Sequence, residues 1–136
     1  MGQTPGAPRT SIDAMLAHAR AGLQRLKPAE VHTAMKDGAV LIDTRAEDLR
    51  RSTGWIPGSV SVPLSVLEWR FDPDSPHRDP ALADLGAHVV LVCAHGFSSS
   101  LAAARLQQLG FARATDVIGG FEAWEQAGLP VERAQT

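Results

Sequence analysis

Two short apolar runs constrain this fold more than any other feature. Ala39-Val40-Leu41-Ile42 and Val89-Val90-Leu91-Val92 are uninterrupted, and each stops on a side chain that carries charge or chemistry, Asp43 after the first and Cys93 after the second. Unbroken runs of this length, rich in branched side chains, read as strands buried on both faces, which is how parallel strands are used. Segments of helical period separate and follow them. Strands alternating with helices along one chain predict an α/β fold with a mainly parallel central sheet and helices on both faces. In such sheets ligands bind outside the carboxyl ends of the strands, and Cys93 stands at one of those ends.

The remaining pattern fills in the order. Residues 1–9 hold two Pro and two Gly and almost nothing apolar, and read as a disordered leader. Ile12, Met15, Leu16, Ala19, Leu23 and Leu26 recur at helical intervals behind a capping-box-like Thr10 and Asp13, predicting an N-terminal helix over 10–26. Lys27-Pro28-Ala29-Glu30 opens a second helix, with Pro at its first turn, that runs to a stop at Lys36-Asp37-Gly38. After the strand ending at Asp43, Thr44 to Ser52 makes a helical turn or two. A short strand comes next near Ser59 to Val62, then a short helix over Leu64 to Phe71. Three prolines make residues 71–80 an irregular loop, placed to overhang a site. A helix over Ser99 to Leu109, a strand over Ala114 to Ile118, the Gly119-Gly120 turn and a helix over Phe121 to Ala127 complete the main domain, 27–131, before a polar tail at 132–136.

Charge and cysteine content narrow the function. Thirteen Lys and Arg against fifteen Asp and Glu leave a net charge of −2, without the broad cationic surface that nucleic acid or anionic lipid requires. The apolar runs are too short to cross a bilayer, and the first residues lack the pattern of a signal peptide, so the cytoplasm is the expected compartment. The single cysteine, Cys93, excludes an internal disulfide and any multi-cysteine metal site within one chain. The five histidines are scattered over helix, loop and strand positions and predict no metal cluster.

A lone cysteine after an apolar strand is ordinarily a small buried hydrophobe. Here its C-terminal neighbours, Ala94-His95-Gly96-Phe97-Ser98-Ser99-Ser100, form a loop of mostly small residues running into a helix N-terminus. Such a loop can curl so that backbone N–H groups converge on one point, joined by the unpaired amides and positive end of the helix. A thiolate there is stabilised, its pKa falls, and it becomes a nucleophile near neutral pH. The three serines are read as caps of the helix, His95 as a ring exposed near the entrance, and the three tryptophans at 55, 69 and 124 as packing elements.

Four motifs in register resemble one known family, the single-domain rhodanese-like sulfurtransferases of the short thiosulfate sulfurtransferase type. They are Leu41-Ile42-Asp43-Thr44-Arg45, Gly54-Trp55-Ile56-Pro57-Gly58-Ser59, Cys93 to Ser100, and Gly119-Gly120-Phe121-Glu122-Ala123-Trp124 with Gly128-Leu129-Pro130. The resemblance implies a rhodanese-like fold and a ping-pong transfer. The Cys93 thiolate takes the outer sulfur of thiosulfate or a related donor, and the persulfide passes it to cyanide, a thiol or a protein acceptor. It implies no metal or organic cofactor. It makes Cys93 the catalytic residue and places substrate against Ala94, His95, Gly96, Phe97, Ser98 and Ser99.

The loop departs from the family pattern in one respect. Members often carry Arg or Lys within or just after it, whereas residues 94–104 contain neither. Arg70 is the substitute expected to meet the donor's charge. Arg45 is the other candidate, set against a structural pairing with Asp43 or Glu47. Cysteine phosphatases of the Cys-x5-Arg type need a guanidinium at the position occupied here by Ser99, which argues against that chemistry. The competing functions are a persulfide carrier or redox sensor that docks on a partner through the N-terminal helix, and an inert scaffold with an unreactive thiol.

Overall fold

The computed structural model of the chain describes residues 8–135; the first seven positions of the expected leader and Thr136 of the tail lie outside the described residues. Four parallel strands form the sheet in the order β2-β1-β3-β4, with β1 Val40–Asp43, β2 Val60–Ser61, β3 Val89–Val92 and β4 Thr115–Asp116. The two apolar runs are its centre, paired in register from Val40 with Val89 to Asp43 with Val92.

Side chains alternate across a strand, and here both faces are covered. Ile42, Val89 and Leu91 point into a cluster with Leu67, Phe71, Ala102, Ala103, Leu106 and Phe111. Leu41, Val90 and Val92 point the other way, onto Val31, Ile56, Phe121 and Trp124. The first face is thus covered by α4 (Leu67–Phe71) and α5 (Ser98–Gln108), the second by α2 (Pro28–Lys36) and α6 (Gly120–Gln126). This is the α/β arrangement the strand pattern predicts. The amide of Lys27 donates to the Glu30 carboxylate (2.7 Å) at the start of α2, closing the first turn behind Pro28. A further helix, α3 (Glu47–Thr53), comes after β1. No helix among the described residues is long and apolar enough to cross a membrane.

Several elements differ from their expected extents. The N-terminal helix, α1, spans Ile12–Ala21 rather than 10–26, and its N-cap is Ser11, whose hydroxyl accepts from the Ala14 amide at 3.0 Å. Gly22 closes it. Leu23 and Leu26 are apolar for another reason: Leu23 reaches the core from the connection after the helix, and Leu26 pairs in parallel with Val117 beside β4. α1 lies along α5 of its own chain. The Leu64 to Phe71 segment begins as a 3-10 turn over Leu64–Val66 before α4. The proline loop folds back on α4, with the Asp79 amide on the Arg70 carbonyl at 2.8 Å and Leu82 in the core, and none of its hydrogen bonds joins it to the cysteine loop. Trp124 is buried with its indole N–H on the Pro130 carbonyl (2.8 Å), but Trp69 is 55% exposed and is not a packing element.

Candidate active site

Cys93 comes directly after β3, and the chain from Ala94 to Phe97 curls beneath the start of α5. Two glycines let it curl. Gly96 adopts φ +82°, and a Cβ there would stand 2.8 Å from the Gly119 amide nitrogen. Gly120 adopts φ +64°, and a Cβ there would meet the Cys93 carbonyl oxygen at 2.5 Å and the Gly96 nitrogen at 2.7 Å. The two backbones therefore pack without side chains between them, in a left-handed conformation that favours glycine.

The carbonyls of this loop are tied outward. Cys93 O accepts from the Phe121 amide (2.8 Å) and Ala94 O from the Glu122 amide (3.1 Å), both in the first turn of α6. Gly96 O accepts from two guanidiniums, Arg20 Nη2 at 2.7 Å and Arg25 Nη2 at 3.1 Å. Within a trans peptide the N–H points opposite to the C=O, and the chain has no cis bonds among the described residues. Anchoring these oxygens turns the amides of Ala94, His95 and Phe97 away from their anchors.

The sulfur occupies the resulting cradle. Cys93 Sγ accepts from the Gly96 amide at 3.2 Å and lies 3.2 Å from Ser99 Oγ. Ser99 and Ser100 are fully buried, and both hydroxyls donate to Asp116 Oδ2, at 2.7 and 2.8 Å. Asp116, also buried, is paired with Arg25 through Nε (2.8 Å) and Nη2 (3.2 Å). Burial pushes the Cys93 thiol up. The donors outweigh it, led by the Ser99 hydroxyl and amide, then the Ser98 hydroxyl and the Gly96 amide, so the net displacement is downward. A lowered thiol pKa enlarges the thiolate fraction at a given pH.

Only some of the expected site residues gather at the sulfur. Cys93, Gly96, Ser98 and Ser99 meet there. Ala94 contributes main chain to the loop and borders a cavity of about 210 Å³ together with Arg45, Thr53, His95, Phe121 and Glu122. His95 is exposed and pairs through Nδ1 with Glu122 at 2.8 Å. Phe97 is the N-cap of α5 and is 60% exposed. The serines do not cap α5, whose N-cap makes no side-chain bond; Ser99 and Ser100 turn inward because the buried Asp116 carboxylate accepts from them. Arg70 donates to the His77 carbonyl at 3.2 Å, and none of its hydrogen bonds reaches the cysteine loop. Arg45 takes the structural pairing: its guanidinium is buried on Asp43 (2.8 Å) and lies 4.1 Å over the Phe121 ring. Arg20 and Arg25 escape a reading of the sequence, because the bonds that join them to the loop and to Asp116 span 71 to 91 residues and leave no local spacing.

Known proteins resemble the chain in sequence and in fold. The model of the rhodanese-like domain matches residues 27–127. A thiosulfate sulfurtransferase GlpE of Pseudomonas savastanoi pv. phaseolicola is 38% identical over 112 residues, 82% of this chain and 95% of its own. A solved structure from Rhodopseudomonas palustris, a protein of unknown function described as a possible tyrosine phosphatase, superposes with a TM-score of 0.84 at 34% identity, covering 96% of this chain and all of that one. A thiosulfate sulfurtransferase from Pseudomonas aeruginosa superposes with a TM-score of 0.70 at 27% identity, over 92% of this chain and 23% of that one. Since the matched region takes in the whole sheet, the cysteine loop and α6, leaving α1 and the segment to Leu26 ahead of it, the chain belongs to the rhodanese-like domain family.

Proposed function

We propose that the chain is a thiosulfate sulfurtransferase that carries sulfane sulfur as a persulfide on Cys93. The observation that carries this reading is the sulfur's position between the Gly96 amide and the Ser99 hydroxyl, each at 3.2 Å, at the end of β3. The thiolate attacks the outer sulfur of thiosulfate. A new S–S bond forms to Cys93, the old one breaks, and its electron pair leaves with sulfite. The terminal sulfur of the persulfide keeps the negative charge, which the same donors hold. An acceptor nucleophile, cyanide or a thiol, then takes that sulfur and returns the thiolate. The electron pair of the broken S–S bond leaves with sulfite in the first step and returns to the Cys93 thiolate in the second, so the surrounding residues need supply only orientation and hydrogen bonds.

Access favours a small or end-on donor. Cys93 keeps 6% exposure, which suits attack on a terminal sulfur. The cavity beside Ala94, His95 and Glu122 borders the residue after Cys93 without including the sulfur, and we take it as the approach for donor and acceptor. The tyrosine phosphatase description belongs to the Rhodopseudomonas protein. In this chain the position needed for a phosphate-binding arginine is Ser99, whose hydroxyl is committed to Asp116 and the sulfur. A partner-docking carrier has less to recommend it, because the helix expected to present the docking surface lies along α5 of its own chain.

Intact-mass spectrometry tests the proposal. Wild type incubated with thiosulfate gains one sulfur atom and Cys93→Ala gains none; no gain with thiosulfate, 3-mercaptopyruvate or a persulfide donor sinks it. Arg70→Ala belongs in the same series, and an unchanged KM for thiosulfate removes Arg70 from donor binding.

A further inference from the structure

We infer that Arg20, carried on the N-terminal helix ahead of the family's matched region, is the cation that the Cys93 loop itself lacks, acting on the sulfur from behind the loop. This rests on the reading of Cys93 as the nucleophile. Residues 94–104 contain no Lys or Arg, yet two guanidiniums converge on the far side of the loop at the Gly96 carbonyl, Arg20 at 2.7 Å and Arg25 at 3.1 Å. They precede residue 27, where the match to the family model begins.

The two arginines do different things. Arg25 is the counter-ion of the buried Asp116, bound through Nε and Nη2 at 2.8 and 3.2 Å. In the thiol state the Cys93 S–H donates to Ser99 Oγ, and Ser99 donates to Asp116. Ser99 has one hydroxyl proton. When the sulfur becomes anionic, Ser99 must turn that proton towards it, and Asp116 gives up a donor while a second negative charge appears one hydroxyl away. Arg25 and the Ser100 hydroxyl (2.8 Å) keep the carboxylate satisfied through that exchange. Arg25 and Asp116 therefore cancel in charge, and the pair contributes no net attraction for a sulfur anion.

Arg20 is left as the surplus positive charge. Its bonds go to neutral groups, the Gly96 carbonyl and Ser100 Oγ at 3.0 Å, and it forms no ion pair among the described residues. It is half-buried, so salt screens it less than a surface charge. It also holds the Gly96–Phe97 peptide with its oxygen outward, which turns the Phe97 amide away from the guanidinium. It is a positioning residue: it touches the loop and never the substrate.

The test is the pH dependence of Cys93 alkylation by iodoacetamide in the full chain, for wild type, Arg20→Gln and Arg20→Lys, with thermal midpoints to confirm folding. Glutamine keeps a hydrogen-bond donor and removes the charge. It is expected to raise the apparent Cys93 pKa and slow alkylation about tenfold on the acid side of the profile. Lysine keeps the charge but cannot reproduce both of the guanidinium's bonds, and is expected to lie closer to wild type than to glutamine. A Gln profile that overlays wild type, or a Lys profile that tracks Gln, overturns the assignment. Should the Gln variant not fold, Lys alone decides, since a Cys93 pKa at the free-thiol value in that variant also overturns it. A wild-type thiol with ordinary acidity and no sulfur gain in the mass assay would instead condemn the sulfurtransferase reading beneath it.

Discussion

Replacing Ser99 by alanine removes the hydroxyl that faces Cys93 and, with it, one of the two serine donors to Asp116. The serine is fully buried, so alanine fills the same place with one polar atom fewer. Two effects then act on the sulfur in the same direction. The Ser99 hydroxyl, 3.2 Å from Sγ, no longer stabilises the anion; a hydrogen bond to a charged group is worth about 1.5–3 kcal/mol, or about 10- to 100-fold in thiolate population below the pKa. The Asp116 carboxylate also loses the hydroxyl that separated it from the sulfur, though it keeps Ser100 and Arg25, which holds the fold together. Burial, which pushes the thiol up, then meets weaker opposition from the Gly96 and Ser99 amides and the Ser98 hydroxyl. The expected outcome is an alkylation profile displaced towards alkaline pH, a rate about 10- to 100-fold lower on its acid limb, and a parallel fall in sulfur loading from thiosulfate at neutral pH. Thermal melting of the variant should drop by only a few degrees, about 1 kcal/mol of stability. A Ser99→Ala profile that superimposes on wild type at every pH would refute the view that this hydroxyl sets the nucleophile's acidity.

Other expectations test the frame around the sulfur. Gly120→Ala forces a residue at φ +64° and drives its Cβ to 2.5 Å from the Cys93 carbonyl oxygen, a backbone atom with no flexible end to yield; left-handed strain and overpacking together cost about 2–5 kcal/mol. Gly38→Ala is the control, since φ is +99° there with nothing within 4 Å, so urea titration of both variants isolates the contact from the dihedral; equal losses would show that the close approach is harmless. His88 is held below the ordinary histidine value of 6.5, by burial first and by Arg113 second. The folded chain then binds fewer protons there than the unfolded one, so stability falls as pH drops from that value through the lowered one. His88→Asn should flatten that acid-side slope in urea titrations at a series of pH values, and an unaltered slope would move its origin elsewhere.

The features legible in the sequence are local ones. Val40 to Asp43 and Val89 to Val92 declare themselves because burial on both faces leaves no polar residue before the final Asp43, and Cys93 is marked by its place at the end of such a run. Pro28 and Gly120 likewise mark the starts of α2 and α6. The features that depart from expectation depend on distant partners. Leu23 and Leu26 continue the period of α1 by coincidence, since their burial comes from the core and from Val117, and Gly22 ends the helix before them. Ser99 and Ser100 sit where caps belong, yet the Asp116 carboxylate, 16 and 17 residues away, draws them inward. The lack of a cation in the loop is plain in the sequence, but the source of its replacement is not. Arg70, the candidate expected from its place before the proline loop, gives its guanidinium to the His77 carbonyl, and the guanidiniums on the loop arrive from Arg20 and Arg25 instead.

The outward-tied carbonyls have a consequence for biosynthesis. Two of the three anchored oxygens are held by the amides of Phe121 and Glu122, and the hydroxyl that faces the sulfur is ordered by Asp116, all of which lie downstream of Cys93. A chain leaving the ribosome exposes its cysteine before any of these groups has emerged. Through that interval the thiol has the acidity of a free cysteine and is mostly protonated at neutral pH. The donors that lower its pKa are therefore assembled only when translation has delivered the last fastening and the nascent domain has closed around it.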